Sequence, residues 1–122
     1  MEFSFERLAI WQKSRLIVRQ SYLLAKKFPA EERYALSDQL RRAAVSVASN
    51  IAEGSGRFSP KEKVHFVEIA FGSLMELVCQ ITLAVDLGFI SASETEALRT
   101  VIEELGRQLS AYRRSLLKPQ YD

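Results

Sequence analysis

The sequence has little of what catalytic and metal-binding sites are usually built from. Its 122 residues include one cysteine, Cys79, and one histidine, His65. One cysteine cannot close an intramolecular disulfide, and the two residues together cannot supply the ligands of a structural zinc site. A lone thiol fits a reducing compartment, so we expect a cytoplasmic protein that carries no metal and no cofactor.

Helix breakers and long apolar runs are also scarce. With three prolines, five glycines and 48% hydrophobic residues, the composition is that of an ordered globular chain. The first residues lack the basic and apolar segments of a secretory signal, and no uncharged apolar run reaches the roughly 20 residues of a transmembrane helix. We therefore expect no membrane partner and one domain over residues 1–122.

The chain instead has a helical period. Neither sustained alternation nor an Asn-Gly or Asp-Gly pair indicates a strand or hairpin. Apolar residues recur at three- and four-residue steps in four stretches, which predicts helices near residues 5–27, 38–53 and 60–87, and from about 91 to 118. Short connections favour antiparallel neighbours. The predicted fold is all-α, an antiparallel up-down-up-down four-helix bundle.

Residues that start and stop helices divide these stretches. Ser37 is the predicted N-cap of the second helix, and Gly54 its C-terminal stop. Ser59-Pro60 with Glu62 is a capping box that starts the third helix, and Gly88 ends it. Either Ser91 or Ser93 can cap the fourth helix, because each is followed three residues later by glutamate.

Three helices carry more apolar surface than one core needs. The predicted core face of the third helix contains Val67, Phe71, Leu74, Val78, Ile81 and Val85. Apolar residues also lie away from such core faces, and we take them as candidates for an oligomer interface: Leu16, Leu23, Val45, Ala48, Ile69, Leu83 and Leu87. The alternative is that they are scattered surface residues, which are normal in soluble proteins.

No motif points to catalysis. Glu62-x-x-His65 matches half of a di-iron signature, but His65 is the only histidine and the site cannot be completed. Cys79 lies within an apolar stretch, where we expect it to be inert packing. Gly54-Ser55-Gly56 lacks the lysine and the spacing of a phosphate-binding loop. We predict that the protein is not an enzyme.

A polar stripe borders the apolar face of the second helix. Its members follow at three- and four-residue steps: Gln39, Arg42, Ser46, Asn50 and Glu53. Partly buried polar side chains need hydrogen-bond partners. The stripe is therefore either a network that fixes the register of helices or subunits, or a contact surface for a ligand or nucleic acid.

Basic residues form the second candidate site. Six cations and no acid occur from Arg7 to Lys27, although the net charge of the chain is only +2. The candidates for nucleic-acid binding are Lys13, Arg15, Arg19, Lys26, Lys27, Arg41, Arg57 and Lys61. A basic stripe is typical of phosphate-backbone binding, and the alternative is a solvated face whose cations pair with acids of other helices.

Residues spread along the chain resemble one known family. They are Trp11, Phe28-Pro29, Glu32, Tyr34, Leu36, Gln39, Arg41-Arg42-Ala43, Ser46, Asn50-Ile51-Ala52-Glu53-Gly54, Gly72-Ser73 and Glu76-Leu77. The chain is similar in these positions to the four-helix bundle proteins encoded in intervening sequences of bacterial 23S rRNA genes. Those proteins look related to the accessory variability protein of diversity-generating retroelements. The run from Arg41 to Gly54 is the specific part.

The resemblance implies a homopentamer of four-helix bundles shaped as a basic barrel. For the retroelement relatives it also implies binding to a reverse transcriptase and to nucleic acid. The expected function is therefore that of a non-enzymatic homo-oligomer which binds RNA or DNA as an accessory factor, with a reverse transcriptase as partner where one is encoded nearby. The alternative is a protein-interaction scaffold that binds no nucleic acid.

Overall fold

The computed structural model describes residues 1–119, and within them the secondary structure is entirely helical. Its four long helices are α1 (Ala9–Ala25), α2 (Leu36–Ser55), α3 (Pro60–Asp86) and α4 (Ala92–Leu117). Short 3-10 turns occupy Ser4–Arg7 and Ala30–Glu32. The predicted all-helical bundle is confirmed.

The four helices pack in sequence order around one core. Each helix contacts its neighbours in the chain, and α1 also contacts α4, which closes the square and makes α1 and α3 diagonal. In three of the four contacting pairs, rising residue numbers in one helix meet falling numbers in the other, so the helices of these pairs are antiparallel. The residues that show this are Lys13–Glu104 and Lys27–Glu94, Ser46–Ser73 and Gly54–Phe66, and Glu68–Arg113 and Thr82–Arg99. It follows from these three pairs that α1 also runs antiparallel to α2.

The starts of α3 and α4 follow the local sequence. The hydroxyl of Ser59 accepts a hydrogen bond from the Glu62 amide at 3.1 Å. Ser91 caps α4, and the carboxylate of Glu94 accepts the Ser91 amide at 2.9 Å in a complete capping box. The choice between Ser91 and Ser93 is therefore decided for Ser91. Gly88, at a φ of 77°, follows α3 as predicted.

The start of α2 differs from the prediction. The helix begins at Leu36, so Ser37 lies inside its first turn and is not the N-cap. The carboxylate of Glu32 accepts the Leu36 amide at 3.2 Å and satisfies a donor that a capping side chain would otherwise take. Ser37 is buried, with its hydroxyl 3.5 Å from the Ala25 carbonyl oxygen. It links α2 to the end of α1.

Gly54 does not end α2. The helix continues to Ser55, and Gly54 is buried within it. A Cβ atom built on Gly54 would lie 2.7 Å from the Cβ of Phe66, which is closer than real Cβ contacts come. The glycine therefore serves a close approach between α2 and α3 instead of a left-handed C-terminal stop.

The core face of α3 is centred closer to α2 than the sequence indicates. Phe71, Val78 and Val85 are only half-buried. The residues that solvent does not reach at all are Ala70, Leu74, Leu77, Ile81 and Ala84. Two of these five residues are alanines, which a pattern of large apolar side chains does not single out.

By length and composition alone, α3 could cross a membrane. An 18-residue window reaches a mean hydropathy of 1.6, and 33% of that window is buried in the bundle. Core helices of soluble bundles pass the same test, and α3 packs against both α2 and α4. We therefore treat α3 as a bundle helix with an apolar outer face.

Candidate nucleic-acid interface

A row of basic and aromatic residues follows the outer face of α1. Arg15, Arg19, Tyr22 and Lys26 are all exposed and succeed one another at steps of four, three and four residues. Residues at these spacings share one face of a helix. The buried face of α1, with Ile17 at 0% exposure, points elsewhere. We call the four residues the basic stripe.

Within residues 1–119, no carboxylate lies within 4.0 Å of the cationic groups of Arg15, Arg19 and Lys26. The guanidinium of Arg15 instead lies over the ring of Trp11, 5.6 Å from its centroid. Such stacking orders the side chain without neutralising its charge. The charges of the basic stripe are thus available to an external anion.

Residues of α2 extend the stripe across the neighbouring helix. Tyr22 borders a shallow depression with Arg41, Arg42 and Val45. Arg41 donates a hydrogen bond to the Arg33 carbonyl oxygen at 3.1 Å, which anchors it beside the α1–α2 connection. The Nε of Arg42 lies 2.8 Å from an Asp38 carboxylate oxygen. One acid therefore offsets part of the charge that α2 contributes.

Two of the sequence candidates lie on another side of the molecule. The ammonium of Lys13 pairs with Glu104 at 3.0 Å, and that of Lys27 with Glu94 at 2.7 Å. Both acids belong to α4, so these lysines tie α1 to α4. The Lys27 ammonium and the Ser91 amide hold the pKa of Glu94 at about 2, below its usual 4.5.

Arg57 and Lys61 lie where α2 connects to α3, apart from the basic stripe. Arg57 pairs with Glu53 at 3.0 Å, and its guanidinium covers the ring of Phe66 at 4.6 Å. Lys61 is exposed on the first turn of α3 and borders the same depression as His65. These residues form a small mixed-charge surface at one end of the bundle.

The predicted polar stripe of α2 divides into two parts. Ser46 and Asn50 are half-buried, whereas Gln39, Arg42 and Glu53 are exposed, contrary to the expectation of partial burial. The side-chain nitrogen of Asn50 donates to the Ser46 carbonyl oxygen at 2.8 Å and to its hydroxyl at 3.0 Å.

The buried part continues into α3. The hydroxyl oxygens of Ser46 and Ser73 lie 2.7 Å apart. This bond crosses from α2 to α3 and links two polar groups that face each other at a single register of the helices. Ser73 was not predicted as part of this polar network. A serine on the core side of an otherwise apolar helix could have indicated it.

Most of the candidate interface residues are exposed in the single chain. Their exposed fractions are 39% for Leu16, 56% for Leu23, 40% for Val45, 37% for Ile69, 45% for Leu83 and 61% for Leu87. Ala48 is half-buried. Because α1 and α3 are diagonal, the leucines of these two helices give the bundle an apolar patch on each of two opposite sides.

The residues considered for chemistry are dispersed. Cys79 is exposed, so it does not contribute to the packing of the single chain as expected. Among residues 1–119, no three histidine, cysteine, aspartate or glutamate side chains are grouped so that they could hold a metal ion.

The family model of the 23S rRNA-intervening sequence protein matches residues 6–111, a span that reaches from before α1 into α4. The chain belongs to the 23S rRNA-intervening sequence protein family. The description of this family names no reaction. No curated protein matches the sequence.

One solved structure is similar to this chain over most of its length. It is a protein of unknown function from the S23 ribosomal protein family of Bacteroides thetaiotaomicron. The two structures superpose with a TM-score of 0.79 at 20% sequence identity, over 86% of this chain and 98% of that chain. At this identity the likeness shows a common fold and carries no residue-level role.

Proposed function

We propose that this intervening-sequence protein is a non-enzymatic, ring-forming accessory protein of the cytoplasm that binds RNA or DNA on the basic stripe. The observation that carries the proposal is the row of Arg15, Arg19 and Lys26 around Tyr22, with no acid in pairing distance among residues 1–119. Cations contact phosphates, and an aromatic ring among them offers a surface on which a base can stack.

Binding of this kind depends on the backbone of the nucleic acid and not on its sequence. None of the four long helices within residues 1–119 is part of a known motif that reads bases. The proposal therefore predicts little discrimination between nucleotide sequences. A net charge of +2 is low for a nucleic-acid-binding protein. A ring compensates for it, because several copies of the stripe act on one nucleic acid with a high effective concentration.

The two apolar patches support a head-to-tail assembly. Leu16 and Leu23 lie on α1, and Ile69, Leu83 and Leu87 lie on the diagonal helix α3. A twofold dimer uses the same patch on both copies, whereas an interface between two different patches repeats from copy to copy and forms a ring when its rotation closes. The ring size of five is what the family resemblance implies.

Gly72 adds support for the α3 patch. It lies within α3 and is exposed, and a Cβ atom built on it would meet nothing within 4 Å. A glycine inside a helix costs about 1 kcal/mol relative to alanine, and the intact bundle does not need this one for its packing. A closely approaching second chain gives it a role.

The second candidate function is a protein-interaction scaffold without nucleic acid. Neutralisation of Lys13, Lys27 and Arg57 by acids of the same chain favours it. In retroelement relatives the implied partner is a reverse transcriptase, and we extend this partner to the present protein where such an enzyme is encoded nearby.

The proposal is tested by titrating fluorescently labelled single-stranded RNA, single-stranded DNA and duplex DNA with the full-length protein at roughly 50 and 200 mM salt. We expect binding that weakens steeply with salt. The double variant Arg15→Glu/Arg19→Glu should lower affinity at least tenfold and reduce the salt dependence, while light scattering shows the same oligomer.

The matched control is Arg99→Glu/Arg114→Glu, which makes the same charge change on α4. It should leave nucleic-acid binding nearly unchanged. An equal loss of nucleic-acid affinity in both double variants would mean that the interface lies elsewhere or that binding depends only on net charge. Absence of any salt-dependent binding at micromolar protein would favour the scaffold.

A further inference from the structure

An open groove lies between α3 and α4. It measures about 670 Å³ and is lined mainly by carbon atoms. Its floor consists of Phe71, Met75, Val78, Ile102 and Gly106. The half-burial of Phe71 and Val78 and the 43% exposure of Met75 show that large apolar side chains of α3 remain uncovered here. Both the basic stripe and the leucines of the α3 patch lie outside its lining.

The groove is deepened by a glycine that the bundle does not require. A Cβ atom on Gly106 would lie 3.8 Å from Leu74 and 3.8 Å from Phe71, which are ordinary contacts. Its φ is not positive. An alanine would therefore fit and would favour the helix by about 1 kcal/mol. The bundle could accommodate a side chain at position 106, but the glycine leaves this part of the groove floor open.

The rim of the groove is basic. Arg99 donates to the Thr82 hydroxyl at 2.6 Å, and no carboxylate of residues 1–119 lies within 4.0 Å of its guanidinium. Arg107 pairs with Glu103 at 2.7 Å. Arg114 has no carboxylate within 4.0 Å among residues 1–119. Three arginines and one glutamate therefore surround an apolar floor, and the rim has an excess of positive charge.

We propose that this groove is a docking site for an amphipathic α-helix of a partner protein whose apolar stripe is flanked by acidic residues. The apolar floor matches the stripe, and the arginine rim matches the acids. Arg99 and Arg114 are fifteen residues apart on α4, so the groove is about 22 Å long and accommodates roughly four helical turns. A nucleic acid would place phosphates against carbon at the floor, which disfavours it as the occupant.

The test uses the full-length protein and a labelled synthetic helix of sixteen residues. Its leucines recur at three- and four-residue steps, and glutamates flank them. Two control peptides are used: one with lysine for every glutamate, and one with the same composition in shuffled order. We expect micromolar affinity for the acidic helix and at least tenfold weaker binding of both controls.

Methionine gives a site-specific readout. The chain has two methionines, Met1 and Met75, and only Met75 lies in the groove. With methyl-labelled methionine, the acidic helix should shift the Met75 signal and leave the Met1 signal in place. A titration that shifts neither signal, or an acidic helix that binds no better than its shuffled version, overturns the proposal.

Variants separate this groove from the other surfaces. Met75→Glu and Arg99→Glu/Arg114→Glu should each weaken peptide binding at least tenfold, whereas Arg15→Glu/Arg19→Glu should not change it. If Met75→Glu dissociates the oligomer, or if nucleic acid shifts the Met75 signal and the peptide does not, the occupant is a second copy or a nucleic acid, and the proposal is wrong.

Discussion

The Cβ that Gly54 lacks would lie 2.7 Å from the Cβ of Phe66. The neighbouring atom is the first carbon of a side chain fixed on α3 and not the end of a flexible one. Nothing but a shift of one helix relative to the other can make room for it. The same position is buried, so the strain cannot be released into solvent.

Gly54→Ala should therefore destabilise the protein, although alanine is the better helix former. Helix propensity favours the alanine by about 1 kcal/mol. Overpacking of a buried helix contact costs about 1–3 kcal/mol, and backbone involvement places this site at the upper end. We expect the free energy of unfolding to fall by about 1–2 kcal/mol, measured as a lower urea midpoint at an unchanged m-value.

Gly72→Ala is the matched control. This glycine also lies within a helix, but a Cβ would meet nothing within 4 Å. At protein concentrations low enough for single chains, the variant should unfold at an equal or higher urea midpoint. A loss of stability as large as that of Gly54→Ala would show that the effect belongs to glycine in general and not to the contact with Phe66.

The ends of the helices show what could and could not be predicted from the sequence. The start of α3 was predictable, and that of α4 was predictable up to the choice between Ser91 and Ser93, because Ser59 and Ser91 act on donors three residues away. Ser37 and Gly54 were misassigned because their roles depend on Glu32 and Phe66, whose positions come from the loop and from tertiary packing. Capping depends on residues close in the chain and can be predicted from the sequence, whereas a close approach of two helices depends on tertiary packing and cannot.

The candidate site shows the same division. The basic residues of α1 were evident from the sequence, but their ion-pair partners determine which of them are available to bind an external anion. Lys13 and Lys27 pair with acids about ninety and seventy residues away in the chain, and only the packing of α1 on α4 brings them together. Tyr22 could have been placed among Arg15, Arg19 and Lys26 from its spacing, since all four share one helical face.

The Ser46–Ser73 bond should be measurable as an interaction energy. We expect Ser46→Ala and Ser73→Ala each to lower the free energy of unfolding by about 1 kcal/mol, because each leaves a polar partner less well satisfied. In a double-mutant cycle the two effects should couple by about 0.5–1.5 kcal/mol.

The control for this cycle pairs Ser73→Ala with Ser49→Ala, an exposed serine of α2. This pair should be additive. Additivity of Ser46→Ala with Ser73→Ala would instead mean that the hydroxyl contact does not hold α2 and α3 in register.

Acid should remove the contribution of Glu94 to stability. Its pKa is about 2 in the folded protein and 4.5 without the Lys27 and Ser91 contacts. A lowered pKa stabilises the fold fully above the unfolded value, and this stabilisation is lost as the pH falls through the folded value. The difference in unfolding free energy between wild type and Glu94→Gln should therefore be constant above about pH 5 and should shrink toward pH 2.

Urea titrations at a series of pH values measure this difference. Glu96→Gln, which changes another exposed acid in the first turns of α4, controls for net charge. An equal pH dependence in both variants would mean that the Lys27 contact is not the cause. High salt should weaken the Glu94 effect, because the pair is exposed to solvent.

The assignment of two faces to α3 predicts opposite outcomes for two leucines. Leu77 is fully buried, and Leu83 is 45% exposed on the outer face. Leu77→Asp places an unpaired charge in the core, which costs several kcal/mol and approaches the whole stability of a small domain. Circular dichroism should show that this variant is unfolded or strongly destabilised.

Leu83→Asp should retain the helical spectrum and lose the oligomer, which light scattering measures directly. Leu117→Asp makes the same change at an exposed leucine outside the two apolar patches, so it should remain both helical and oligomeric. Loss of helicity in Leu83→Asp would contradict the outer face of α3. A helical Leu83→Asp protein with its oligomer intact would instead move the interface away from α3, and the head-to-tail ring would lose one of its two patches.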